Sequence, residues 1–397
     1  MAKVEASAPG KCILFGEHAV VFGQPAVAVA IQQRITVSIE LLEEGADEWR
    51  IDGMKLIPSK HPHVEALRSR LWQKKIGAPA LSIHINSDIP PASGLGSSAA
   101  LSVAASACLR AARGRWLSEG GEATETKHWA EGFSSQLTDT DVYCDVVEGE
   151  DPARRAGNNG QGDLHVWGDQ AIDVDECALL GHAVEAIAQG GRASPMDSSV
   201  CAHGGIVLLS DEVEKETDWV YTRTLNTPEG DRAWQVHTIP VMADEQDVYL
   251  VIGNSGVHAP TSIQVAKVAA AMTENPQRMR EIETIGLIAR RGVEALLKGD
   301  FEAVGRAMSE NHLMLRGLGV SCFELDDLVR AAAPSSLGAK LTGAGGGGCM
   351  VALTRNPKQT SEAIELAGGR TLISKIGNAG VRIEGHEGLP FWKPSSK

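Results

Sequence analysis

Lys11, Glu17 and His18 stand within eight residues of one another, beside Gly10 and Gly16. Further on, Pro90-Pro91-Ala92-Ser93-Gly94-Leu95-Gly96-Ser97-Ser98-Ala99-Ala100 places glycines and hydroxyls between an alternating apolar run and an alanine-rich one. Glycines let a backbone approach a ligand closely. A helix start offers free N–H groups and a positive dipole end to an anion. Strand, Gly-rich turn and helix together make a phosphate cradle, although no Gly-Lys-Ser/Thr follows, so it is not a Walker loop. Two acids, Glu185 and Asp197, flank a stretch broken by glycine and proline, and a third Gly-rich run spans 343–348. A phosphate cradle, a lysine and two carboxylates are the needs of phosphoryl transfer. One acid holds Mg²⁺, the other handles the acceptor hydroxyl, and the lysine neutralises developing charge. Each residue also has a plainer reading. Lys11 and Asp197 could form a structural ion pair, Ser98 a helix cap, Glu185 a solvated helix residue, Glu17 a surface charge and His18 a hydrogen-bonded core histidine.

The elements that must position these residues follow from periodicity. Residues 3–8 and 26–40 read as strands, with β-branched runs at Val27–Ile31 and Ile35–Ile39. Pro9-Gly10 between them is a turn signal. A helix is expected over 61–75, a strand over 81–85 and a helix over 99–112. Periodicity fails from about 117 to 176, resumes as a helix over 178–188, and gives way to a buried strand at 204–209. Residues 211–230 read as a polar linker or exposed hairpin. Beyond a strand at 248–252, helices are expected over 261–272, 276–297, 301–315 and 323–332, with Thr261 and Asp300 as N-caps. A Gly-rich turn and strand over 341–353, a helix ending at 368 and a strand at 380–384 complete the chain.

Composition sets the class. At 397 residues with 43% hydrophobic and 22% charged content, the chain is globular and long enough for two domains. A net charge of −14 disfavours nucleic acid and anionic membranes as partners. Residues 118–176 hold 15 Asp/Glu against Lys127, Arg154 and Arg155, so one acidic insertion carries most of that charge. The seven cysteines have no framework spacing, which points to reduced thiols. His61 and His63 lack a clustered third metal ligand. No apolar run reaches the length of a membrane span and no signal-peptide h-region opens the chain, so a cytoplasmic location is expected.

The motifs Ala8-Pro9-Gly10-Lys11 with Gly16-Glu17-His18-Ala19-Val20-Val21, Pro90–Ala100, and Leu341–Cys349 occur in the order of the GHMP kinases, and the chain resembles that family outside the acidic insertion. Within it, Ala193-Ser194-Pro195-Met196-Asp197 and Ser309-Glu310-Asn311-His312 are most similar to the archaeal-type branch that acts on mevalonate. Met196 departs from the Thr or Val-like residue usual there. The resemblance implies an α/β (α+β) GHMP kinase fold. Its phosphate-loop domain would cover 1–215 and include the insertion; a ferredoxin-like domain would cover 240–390. It implies ATP as co-substrate, Mg²⁺ as cofactor, mevalonate as acceptor and a homodimer. Asp197 matches the general base and Lys11 its partner. Ser98 and Glu185 match the metal ligands, and Glu17, His18 and Thr261 match the acceptor site. Pro90, Ser93, Gly94, Leu95, Gly96, Ser97, Ser98 and Ala99 match the nucleotide loop. A relative acting on phosphomevalonate, and a non-catalytic binding homologue, are the alternatives. A decarboxylase fits less well, because that branch resembles Gly-Leu-Ala-Ser-Ser at the loop.

Overall fold

The computed structural model describes residues 3–42, 48–51, 53–55, 57, 80–90, 93–118, 174–188, 193–227, 230–240 and 247–384. The helix expected over 61–75 and nearly all of the acidic insertion lie outside the described residues.

The first sheet is built around one long strand. β1 (Val4–Phe15) pairs with β2 (Ala26–Leu42) along almost its whole length. The two β-branched runs of 26–40 are thus one strand. Pro9-Gly10 is not a turn. It sits inside β1, where the register shifts between Pro9 and Lys11. A bulge accommodates the residue that cannot donate to the ladder. β3 (Glu48–Ile51), β4 (Met54–Lys55) and β5 (Ala80–Ser87) extend the sheet on one side, where β5 pairs with residues 35–42 of β2. β6 (Ile206–Ser210), β7 (Asp218–Thr227) and β8 (Gly230–Thr238) extend it on the other, where β6 pairs with residues 26–29. Of the two readings of 211–230, linker or exposed hairpin, the hairpin is the one found, and as part of the sheet it carries that sheet past 215.

Three helices pack against β1 and β2 or against each other: α1 (Ser97–Ser118), α2 (Val174–Ala188) and α3 (Met196–His203). α1 buries Ala99, Ala100, Val103, Ala104, Ala107 and Cys108. Small side chains on several faces let neighbours approach closely. α2 shows this at Gly181, where an added Cβ would stand 2.9 Å from Val103 Cγ2 of α1 and 3.2 Å from Ser198 Cβ of α3.

The second unit begins with β9 (Tyr249–Asn254). α4 (Thr261–Glu274), α5 (Met279–Leu297), α6 (Phe301–Gly317) and α7 (Phe323–Ala332) follow. The expected helix over 276–297 opens as a 3₁₀ turn at Pro276–Arg278. Asp300 caps α6, accepting from the Ala303 amide at 2.9 Å. Thr261 is not a cap: Pro260 holds that position and Thr261 is the exposed first residue of α4. β10 (Gly338–Thr342), β11 (Cys349–Thr354), α8 (Pro357–Leu366) and β12 (Arg370–Lys375) complete an antiparallel sheet ordered β10-β11-β9-β12. Strand, helices, two strands, helix and strand in that order make a ferredoxin-like unit.

The chain then returns to the first sheet. β13 (Arg382–Glu384) pairs antiparallel with Glu5–Ser7 of β1. Arg34 fastens the return, donating to the carbonyls of Ser7 at 2.9 Å, Ala379 at 2.8 Å and Gly380 at 2.6 Å. Sequence position therefore does not divide the two units cleanly near 240.

Candidate active site

Lys11 is the meeting point. It follows the β1 bulge, and its amide donates to the Leu95 carbonyl at 2.9 Å. Its ammonium, only 3% exposed, donates to the Gly94 carbonyl at 3.1 Å and lies 3.1 Å from Asp197 Oδ1. The lysine stem runs over Gly96, whose missing Cβ would stand 2.9 Å from Lys11 Cγ; at φ +73° this backbone also favours glycine. Asp197 lies in the first turn of α3, and its side chain is 38% exposed. One end of this pair is thus buried and the other opens outward. That asymmetry suits a carboxylate that must meet a second molecule and a lysine that must not wander.

The Gly-rich loop enters α1 at Ser97, and the Ala100 amide is the donor to Gly96. The first-turn amides before it have no carbonyl within the helix, so they point back toward the loop. Ser93 anchors the loop by donating to the Pro90 carbonyl at 2.7 Å. Leu95 is buried, Ala99 is buried, and Ser97 and Ser98 are half-buried.

Glu185 is buried on α2, one turn beyond Gly181, where α1, α2 and α3 converge. The buried Cys201 thiol on α3 is pushed well above its ordinary value by burial, and it feels the charges of Asp197, Lys11 and Glu185. A hydroxyl from Ser98 and one carboxylate from Glu185 are a donor set that fits Mg²⁺, which keeps waters and shares phosphate oxygens instead of filling an all-protein cage. Among the described residues no cluster of three or more His, Cys, Asp or Glu could hold a metal alone.

Glu17 is placed elsewhere. It is 2% exposed, it is paired with the fully buried Lys340 of β10, and its Oε2 accepts from Asn311 Nδ2 of α6 at 2.9 Å. Lys340 also donates to the Leu341 carbonyl at 2.6 Å. Both Glu17 oxygens thus have partners at the junction of the two units. His18 follows it with φ +61°, and its Nε2 is 2.9 Å from the Ala344 carbonyl of the third Gly-rich run. Burial lowers its pKa below the ordinary histidine value. Since a carbonyl only accepts, the Nε2 proton is fixed there, leaving Nδ1 as acceptor in the neutral ring. Thr261 lies on the exposed start of α4. Lys340 was missed in the sequence, although a lone lysine within the apolar run Leu341–Leu353 and its preceding strand residues is a readable signal of a buried partner.

Residues 63–146 match the GHMP kinases N terminal domain, and residues 293–368 match GHMP kinases C terminal. A mevalonate kinase of Thermococcus gammatolerans is 30% identical over 416 residues, spanning 96% of this chain and 98% of that one. The chain belongs to the GHMP kinase family. A mevalonate kinase of Pyrococcus furiosus is 29% identical, again spanning 96% of this GHMP kinase and 98% of the relative. Among solved structures, L. major mevalonate kinase in complex with R-mevalonate aligns with TM-score 0.60 and 24% identity over 96% of this chain and 97% of that one. The Methanococcus jannaschii mevalonate kinase aligns with TM-score 0.62 and 22% identity over 95% and 99%. These two likenesses establish the GHMP kinase fold.

Proposed function

We propose that this GHMP kinase transfers the γ-phosphoryl group of ATP to the 5-hydroxyl of (R)-mevalonate, giving 5-phosphomevalonate and ADP. The observation that carries the chemistry is the 3.1 Å contact between Lys11 Nζ and Asp197 Oδ1, with Lys11 also on the Gly94 carbonyl. It joins the acid on α3 to the phosphate loop through one cation. The full-length match to mevalonate kinases supports the choice of acceptor.

Asp197 takes the proton of the acceptor hydroxyl as its oxygen attacks the γ-phosphorus and the bond to the bridging oxygen of ADP breaks. Lys11 holds the Asp197 carboxylate in position and places positive charge where the transferring group gains negative charge. Backbone N–H groups at Gly94–Ala99 and the start of α1 receive the phosphate oxygens. Ser98 and Glu185 would hold Mg²⁺, which when bound neutralises phosphate charge. His18 and Thr261 belong to the acceptor side of the site in this reading, and a homodimer in solution is part of it, checked by light scattering.

The test is ADP release from ATP with mevalonate, phosphomevalonate, homoserine and galactose as acceptors. Turnover with mevalonate well above the others is expected; preference for another acceptor overturns the assignment. Asp197→Asn should lower kcat by ~10²–10⁴-fold, the usual worth of a general base, while ATP binding by calorimetry stays close to wild type. Full activity in a folded Asp197→Asn protein removes Asp197 from the mechanism.

A further inference from the structure

Strand β7 turns Tyr221, Arg223 and Leu225 inward, and Arg223 is among the largest fully buried side chains of the protein. Its Nε donates to His182 Nδ1 at 2.9 Å, and its Nη2 donates to the Leu179 carbonyl at 3.2 Å, both on α2. His182 Nε2 in turn lies 2.9 Å from the Ala193 carbonyl. An arginine can only donate and a carbonyl can only accept. One neutral tautomer satisfies both contacts, with the proton on Nε2 and the lone pair on Nδ1. Burial and the neighbouring Arg223 hold the imidazole pKa at about 3, so the ring is neutral at working pH.

Ala193 opens the segment that ends in Asp197. The far end of that segment is held from the same strand. The Pro195 carbonyl accepts from the Ser199 amide at 2.9 Å and from Ser198 Oγ at 3.2 Å, and Ser199 Oγ is 3.1 Å from the Tyr221 hydroxyl. Two inward residues of β7, two positions apart, are thus linked to both ends of the Asp197 element, Arg223 through His182 and Tyr221 through Ser199. His182 is also one helical turn before Glu185 on α2. A planar guanidinium can serve two acceptors at fixed angles, which a lysine cannot.

We propose that Arg223 and His182 form a positioning pair: Arg223 fixes the imidazole tautomer, and the imidazole fixes the Ala193–Asp197 segment so that Asp197 meets Lys11. Neither residue touches the substrate. The inference rests on the reading of Asp197 as the base.

The experiment compares full-length His182→Phe, which loses both hydrogen bonds, with His182→Gln, whose amide can donate to Ala193 and accept from Arg223. Steady-state kcat and KM for ATP and mevalonate are measured, together with hydrogen–deuterium exchange over 193–203 and over β6. His182→Phe should lose kcat by ~10²-fold, the scale of a small misplacement, with both KM values little changed. Its exchange should rise over 193–203 and stay constant in β6. His182→Gln should restore both readouts to near wild type. If His182→Phe does not fold, Arg223→Lys replaces it, with the same loss expected against the intact His182→Gln protein. A His182→Gln protein as impaired as the disrupting variant, a loss confined to KM, or unchanged exchange over 193–203 overturns the proposal. The exchange comparison needs no turnover. A wild-type protein inactive on mevalonate therefore sinks the assigned activity while still deciding the positioning role, and an active His182→Phe protein sinks the positioning role alone.

Discussion

Glu17, which the family motif places on the acceptor side, is paired with the buried Lys340. A buried pair is weak as a source of net stability, yet removing one partner strands the other charge and costs about 3–5 kcal/mol. Lys340→Met should therefore lower the unfolding free energy measured in urea by that order, while the acceptor KM of the folded protein stays close to wild type. A raised acceptor KM at unchanged stability would return Glu17 to the substrate. His312 gives a pH dependence. Burial, then Lys340, lowers its pKa to about 4, against an ordinary value near 6.5. The unfolded chain binds the proton first, so this stabilisation is whole above about pH 6.5 and is lost as pH falls through about 4. His182 acts in the same direction at about 3. Unfolding free energy should decline as pH falls below 6.5, less steeply in His312→Gln; a parallel decline in both would remove His312 as a cause. Lys11 and Asp197 were legible because a glycine-flanked lysine and an acid after a Gly/Pro break are scarce patterns. The pairing of Lys340 with Glu17 was not, because the two are more than three hundred residues apart in sequence.

Among elements, Gly181 carries the clearest consequence. An exposed Gly→Ala change gains up to about 1 kcal/mol of helix propensity, but overpacking costs about 1–3 kcal/mol. With Val103 Cγ2 at 2.9 Å and Ser198 Cβ at 3.2 Å, crowding wins. Gly181→Val should lower the melting temperature and raise the Mg²⁺ concentration needed for half-maximal rate, because Glu185 moves with α2 away from Ser98. Unchanged Mg²⁺ dependence in a destabilised variant would place the metal ligand elsewhere. Periodicity and capping rules found α7 at Phe323–Ala332 and the Asp300 cap of α6, since both depend on neighbours in the chain. They left β7 open between linker and hairpin, because its inward row contains an arginine and so reads as polar, and they failed at Pro9-Gly10, where pairing with β2 overrides a local turn preference.

At the scale of the whole molecule, α1 ends at Ser118 and α2 begins at Val174, so the acidic segment joins two helices that already meet at Gly181. Replacing 120–170 with a short Gly/Ser linker should leave melting and mevalonate turnover near wild type, because closure entropy changes slowly with loop length. Loss of either would show that Trp129, Phe133, Tyr143 or Trp167 belongs to the working structure. The two units were legible as a pair because motifs fall in both halves; the strand at 380–384 was legible too, but its pairing with β1 was not, since nothing local in the sequence marks a partner at the other end of the chain. That pairing has a consequence for biosynthesis. Ser7 and Glu384 are hydrogen-bonded across a separation of 377 residues, so the β1 edge they close stays open until β13 leaves the ribosome. At about 5–20 residues per second, the nascent chain carries that unsatisfied edge for on the order of 20–80 s. An open edge is a template for pairing with another chain. The interval in which this protein is most exposed to misassembly is therefore its own translation, and slowing elongation late in the message should lower soluble yield even though the finished protein is unchanged.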